Sequence, residues 1–173
     1  MIKWKYNNCS YRRLIFILFA VFLFSGVFNY VKAQEEPPRP PSITLVTDLS
    51  FGAFYSATGG TVTVDQYDTR TSFNTTLFSF NSYSAAHFNI YANAGTIINI
   101  LSIPDFELTW SGYLMTVHID MLNNTDPALP FVKTDQYSIP AELTIGATLS
   151  VGNPSANPPG TYSGTFNVTL VVE

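Results

Sequence analysis

The sequence predicts an all-β protein, a two-sheet sandwich of about seven or eight antiparallel strands, and three observations carry that reading. After Ser42 the apolar residues recur with period two, the side-chain repeat of a half-buried strand. No stretch of helical length keeps its apolar residues at period 3.6. Turn chemistry separates the alternating runs at short spacing, at Gly59-Gly60, Asn93-Ala94-Gly95 and in the longer loops 123–127 and 153–159.

In chain order the expected strands are residues 42–48, 60–65, 73–80, 85–92, 96–103, 112–122, 141–151 and 161–172. In the first, Ile43 and Leu45 alternate with Thr44 and Val46. Residues 96–103 carry Ile97, Ile98, Ile100, Leu101 and Ile103 on both faces, so this strand is covered on both sides or lies at an interface. Residues 112–122 separate cleanly, with Tyr113, Met115, Val117, Ile119 and Met121 against Thr116, His118 and Asp120. The last run is the most regular: Tyr162, Phe166, Val168, Leu170 and Val172 face the core, and Thr161, Ser163, Thr165, Asn167 and Thr169 lie opposite. Its polar face has no charge before Glu173, although an exposed edge strand usually carries charge or proline to discourage pairing. The strand is therefore interior to a sheet or meant to be paired. Residues 42–48 are the segment expected to cover it, from the same chain or from a neighbour, which makes Ile43, Leu45, Phe166, Val168 and Leu170 the candidate strand-pairing residues.

The address precedes the fold. Lys3, Lys5, Arg12 and Arg13, an apolar run over residues 14–24, and Val31-Lys32-Ala33 before Gln34 form the three parts of a secretory signal peptide, with cleavage expected after Ala33. The apolar run is too short to span a bilayer as a helix; an uncleaved anchor is the alternative, because the region after that run is long. Residues 34–41, Gln-Glu-Glu-Pro-Pro-Arg-Pro-Pro, read as an extended spacer, leaving residues 42–173 as one β-domain. The expected location is secreted, in the periplasm or at the cell surface.

Cleavage removes five of the eight basic residues and none of the twelve acidic ones, so the formal charge moves from −4 to −9 (3 − 12). That balance excludes a nucleic-acid partner, whose phosphates call for clustered Lys and Arg. Cys9, the one cysteine, leaves with the leader, and it precedes the apolar run, so it cannot bear the lipid of a mature lipoprotein. No disulfide can staple the domain, and stability rests on an ordinary core.

Four segments in order carry a resemblance: Leu49-Ser50-Phe51-Gly52-Ala53-Phe54, Gly59-Gly60-Thr61-Val62-Thr63-Val64, Ile145-Gly146-Ala147-Thr148-Leu149-Ser150-Val151, and the run from Gly160 through Leu170. Over most of residues 43–173 the chain resembles a bacterial secreted domain family of unknown function, of Bacteroidetes type. That family looks like spore coat protein U and, more distantly, the pilins assembled by chaperone and usher. The resemblance implies an immunoglobulin-like sandwich, and an alternating C-terminal strand bordering a groove that a partner's strand fills. Gly160 stands where the pilin end motif has its glycine. Val172 stands where those pilins usually have tyrosine, and their cysteine pair is missing.

Candidate chemistry is sparse. His87 and His118 both fall on polar faces, where a metal shared between adjacent strands is weighed against surface histidines, and the latter is the expectation. Asp65 with Asp68, and Asp105 with Glu107, are close carboxylate pairs without a ligand loop of known spacing, and they read as turn and strand-end residues. There is no G-x-S-x-G elbow, no phosphate-cradling loop and no reactive cysteine, so the chain is expected to be no enzyme and to need no cofactor or metal. Trp110 and Tyr113 flank a Trp-Ser-Gly-Tyr turn, where aromatics either cap the core or stack on sugar rings. The matches to the N-glycosylation pattern are incidental in a bacterial chain.

These readings lead to a secreted structural or fimbria-like surface subunit that assembles through β-strand pairing with itself or other surface proteins. The alternative is a monomeric extracellular module that binds glycans or a surface ligand through Trp110 and Tyr113. An outer-membrane barrel would require longer unbroken strands with lipid-facing rows and a C-terminal aromatic.

Overall fold

A computed structural model describes residues 37–173, and the expected leader, with the first part of the spacer, lies outside these described residues. Within them every regular element is a strand and every ladder is antiparallel. In chain order they are β1 (Ser42–Thr47), β2 (Phe54–Tyr55), β3 (Gly60–Val64), β4 (Arg70–Phe73), β5 (Thr76–Leu77), β6 (Ala86–Tyr91), β7 (Ile97–Ile100), β8 (Phe106–Trp110), β9 (Tyr113–His118), β10 (Thr125–Asp126), β11 (Phe131–Val132), β12 (Ala141–Ile145), β13 (Ala147–Val151) and β14 (Leu170–Val172). No helix among the described residues is long and apolar enough to cross a membrane.

The ladders group into sheets of four strands (β1-β6-β12-β10), five (β4-β3-β13-β9-β8), three (β11-β7-β14) and two (β2-β5). One hydrophobic core joins them, drawn from alternate positions of the two larger sheets: Phe88 and Ile90 of β6, Leu143 and Ile145 of β12, Val62 and Val64 of β3, Leu149 of β13 and Val117 of β9. The period-two pattern is therefore the core pattern.

Several strands are shorter than the alternation predicts, each for a local reason. Residues 73–80 do not form one strand: Asn74 sits at φ 53, turning the chain between β4 and β5. Residues 141–151 form two strands because Gly146 moves the chain from the four-stranded to the five-stranded sheet. A Cβ there would lie 2.5 Å from the Val64 carbonyl oxygen and under 3 Å from backbone atoms of Asp65 and Gln66, so only glycine lets the strand cross so close. Strand β9 stops at His118, where the Asp120 carbonyl accepts the amides of Asn123 and Asn124 in a turn.

Strand β8 lies outside the expected strands, although its pattern is legible. Phe106, Leu108 and Trp110 alternate with Glu107 and Thr109, and β8 joins β9 through a two-residue hairpin with Ser111 at φ 49 and Gly112 at φ 87. Residues 96–103 resolve into inward Ile98, Ile100 and Ile103, all buried, and outward Ile97 and Leu101, both exposed.

Candidate functional site

The C-terminal run keeps its alternation but only part of its ladder. Tyr162, Phe166, Val168 and Leu170 are half-buried against the core, and Thr161, Ser163, Thr165, Asn167 and Thr169 are exposed; Val172, expected inside, is exposed. Regular pairing is confined to β14 on β7, plus a bridge between Ser163 and Thr109 of β8. The chain opposite explains the interruption. Residues 101–105, with Pro104 among them, form no strand, and a cavity of about 330 Å³ opens there between Ser102, Ile103, Thr165 and Phe166.

The backbone hydrogen bonds from this run to the chain opposite fall on odd-numbered residues. Thr109 N–H donates to Ser163 O (2.8 Å) and Ser163 N–H to Thr109 O (3.2 Å), Leu101 N–H to Thr169 O (3.0 Å), and Ile97 N–H to Glu173 O (2.9 Å). Successive strand residues direct their N–H and C=O groups to opposite edges. In an extended run Tyr162, Gly164 and Phe166 therefore direct theirs to the other edge, where no strand of the described residues pairs with them.

That edge borders a groove of about 1230 Å³. One wall is residues 160–166; the other is the stretch from Leu45 to Ser56; the floor includes the core residues Phe88, Met115 and Leu149. Aromatic side chains dominate the lip, with Tyr55 and Phe80 exposed and Phe78 stacked on Phe80 at 5.4 Å. Asp48 is the one charged side chain lining it among the described residues. Arg70 fixes the N-terminal wall by donating to the carbonyls of Phe51 (3.0 Å), Ala53 (3.4 Å) and Phe78 (2.7 Å), with its guanidinium 4.3 Å from the Tyr83 ring centre.

The strand expected to cover the C-terminal run lies elsewhere. β1 pairs with β6, from Ser42 opposite Tyr91 to Leu45 opposite Phe88, then through a bulge to Thr47 opposite His87. Ile43 is half-buried there, whereas Leu45 and Val46 are more than half exposed. Of the candidate pairing residues, Ile43 and Leu45 of β1 thus pair with β6, Leu170 of β14 pairs with β7 opposite Ile100, and Phe166 and Val168 have no ladder partner among the described residues. The end of the spacer is fastened too: Asn93 Nδ2 donates to Arg39 O (3.0 Å) and the Tyr137 hydroxyl to Pro40 O (3.1 Å).

Trp110 and Tyr113 come together, with ring centres 6.3 Å apart, and Tyr162 joins them at 5.9 Å from Trp110. Gly160 presses on the indole so closely that a Cβ would fall 2.2 to 2.6 Å from three ring atoms. One face of Trp110 is therefore covered by the chain's own backbone. Burial pushes the Tyr162 phenol above its ordinary pKa, against a lowering hydrogen bond with Asn157, and its hydroxyl donates to Pro158 O (3.0 Å).

The two histidines lie in different sheets, His87 on β6 and His118 on β9, and no group of three metal-ligating side chains occurs among the described residues. Each histidine meets an aspartate instead: His118 Nδ1 lies 2.6 Å from Asp105, and His87 Nε2 3.0 Å from Asp68. The carboxylate pairs separate in role. Asp65 caps its own turn by accepting from the amides of Tyr67 (2.9 Å) and Thr69 (2.8 Å), while Asp68 reaches across to Ala85 N–H (2.7 Å) and His87. Partial burial pushes the Asp68 carboxyl up, but the Ala85 amide and His87 outweigh it and hold it below the ordinary value.

A depressed folded pKa adds stability above the unfolded value and loses it as pH falls through the folded one. Asp68 is partly exposed, so screening keeps the effect small. Asp68→Asn is expected to lower the unfolding free energy by no more than about 1 kcal/mol at neutral pH, and the gap to wild type should close as pH falls below the ordinary carboxylate range in urea titrations. A gap unchanged across that range would contradict the assignment.

With this geometry in place, the comparison with known families is informative. A family described as Domain of unknown function (DUF4402) matches residues 42–171. The chain belongs to that family. No curated protein and no solved structure matches it. The DUF4402 match begins at the first residue of β1 and ends within β14, so both walls of the groove lie inside the shared domain.

Proposed function

We propose that this DUF4402 chain is a secreted, non-enzymatic surface subunit, fimbria-like in role, that assembles through β-strand pairing. On this reading its sheets form an immunoglobulin-like sandwich left open along one seam, akin to spore coat protein U and the chaperone–usher pilins. The observation that carries the proposal is the groove, whose apolar floor reaches core residues and whose C-terminal wall presents an unpaired backbone edge without charge. Solvent-filled apolar openings of this size are unfavourable, and a partner strand would bury the floor and pair the edge together. The covered face of Trp110 favours this over glycan stacking, because the indole already serves as packing for Gly160.

The lip offers a test that spares the core. Tyr55 and Phe80 are exposed, so a Tyr55→Glu, Phe80→Glu double variant should keep its unfolding free energy within about 1 kcal/mol of wild type. In the producing bacterium, wild-type chain released gently from the envelope is expected to elute in high-mass assemblies, and the double variant as free chain. Wild-type chain eluting free, or the variant eluting with wild type, would count against assembly through the groove.

A further inference from the structure

We infer that the groove takes a strand from a different polypeptide, an extended segment of about seven residues that is uncharged, apolar at every second position and flanked by lysine or arginine. The inference rests on the assembly reading above and names the partner that reading leaves open.

The occupant must carry a peptide backbone. Along residues 162–166 strand alternation puts the N–H and C=O groups of Tyr162, Gly164 and Phe166 on this edge, and an acyl chain laid over them would bury these groups unpaired. The length follows from the groove wall, residues 160–166, which spans about 20 Å at the rise of a strand. Alternation follows from the floor: one face of the incoming strand meets Phe88, Met115 and Leu149 while the other meets solvent. Its central side chains must be neutral, since the lining holds no basic residue among the described residues and a buried unpaired charge is costly. Basic flanks follow from the charge of the acceptor. Residues 37–173 contain three Lys and Arg against ten Asp and Glu, a net −7 (3 − 10), and Asp48 stands in the groove.

This chain's own N-terminal stretches are unsuited to the role. β1 is committed to β6 through its full length, and the segment before it is Glu35-Glu36-Pro37-Pro38-Arg39-Pro40-Pro41, whose prolines lack the N–H a ladder needs. Arg39 and Pro40 are also tied to Asn93 and Tyr137. The chain is built as an acceptor.

The test uses the exported chain purified from cells, with the fluorescein-labelled peptide Lys-Ser-Val-Thr-Val-Thr-Val-Ser-Lys as probe. Expected results are a single monomeric species of the chain alone across concentration in sedimentation velocity, and saturable peptide binding by anisotropy. N-methylating every second peptide nitrogen should weaken binding at least about tenfold, and replacing the flanking lysines with glutamate should slow association. Binding indifferent to N-methylation would overturn backbone pairing as the mode of recognition. Oligomers formed by the chain alone would overturn the heterologous partner; if a Thr44→Cys, Asn89→Cys disulfide locking β1 to β6 abolishes them, the occupant is β1 of a second copy and assembly through the groove stands. A chain that stays monomeric and binds no peptide removes both the partner and the assembly reading.

Discussion

Gly146→Val is expected to lower the unfolding free energy by about 3 kcal/mol or more, a large share of the roughly 5 to 15 kcal/mol that holds a domain folded. The glycine lies where one continuous run of sequence leaves β12 and enters β13, so it joins the two larger sheets. A Cβ at this point meets the Val64 carbonyl oxygen at 2.5 Å, the Asp65 carbonyl carbon at 2.7 Å and the Gln66 nitrogen at 2.8 Å. All three atoms are backbone, so no rotamer change relieves the contact. Relief would require moving the end of β3, whose Val64 is opposite Ala147, and the Gly146 N–H would lose its 2.8 Å bond to Asn124 O. Urea titration followed by circular dichroism measures the loss, with Gly146→Ala expected between wild type and valine. A valine variant within about 1 kcal/mol of wild type would mean that the crossing is not fixed by this contact.

Gly146 also shows how far the sequence could be read. Leu143, Ile145, Ala147, Leu149 and Val151 all point into the core, so the alternation through residues 141–151 gave the right buried face on both sides of the glycine. It gave one strand where there are two, because side-chain periodicity records which face is buried and not which neighbour holds the backbone. The same limit explains residues 161–169. Their side chains alternate as expected while most of their backbone has no ladder, since pairing depends on residues 101–105 across the gap. The all-β class and most buried positions were legible locally. The groove was not, because its walls come from segments separated by more than a hundred residues, and β1 pairs with β6 and not with the C-terminal run. Trp110 carries two readings, core cap and ligand surface, and the observation that favours the first, the pressure of Gly160 on its ring, is a contact across fifty residues that no local pattern encodes.

That contact leads to the second large effect. Trp110→Ala is expected to cost about 2 to 3 kcal/mol, somewhat less than a fully buried tryptophan because the indole is half-buried. The loss should be felt first at the start of the C-terminal run. Trp110 supports Gly160 and Tyr162, and the next residue, Ser163, is the point where this run is hydrogen-bonded to β8. Hydrogen exchange at the Thr109 and Ser163 amides should therefore accelerate more than at Val62 or Leu149 in the core. Tyr113, which is exposed, should cost under about 1 kcal/mol when replaced by alanine. A double-mutant cycle isolates the contact itself. Gly160→Ala alone drives a methyl into the indole and should destabilise by about 2 kcal/mol, whereas in the Trp110→Ala background the methyl has room and the cost should largely vanish. Additive effects in that cycle would show that Trp110 does not hold the groove wall in place, and would reopen the case for the indole as a surface for ligands.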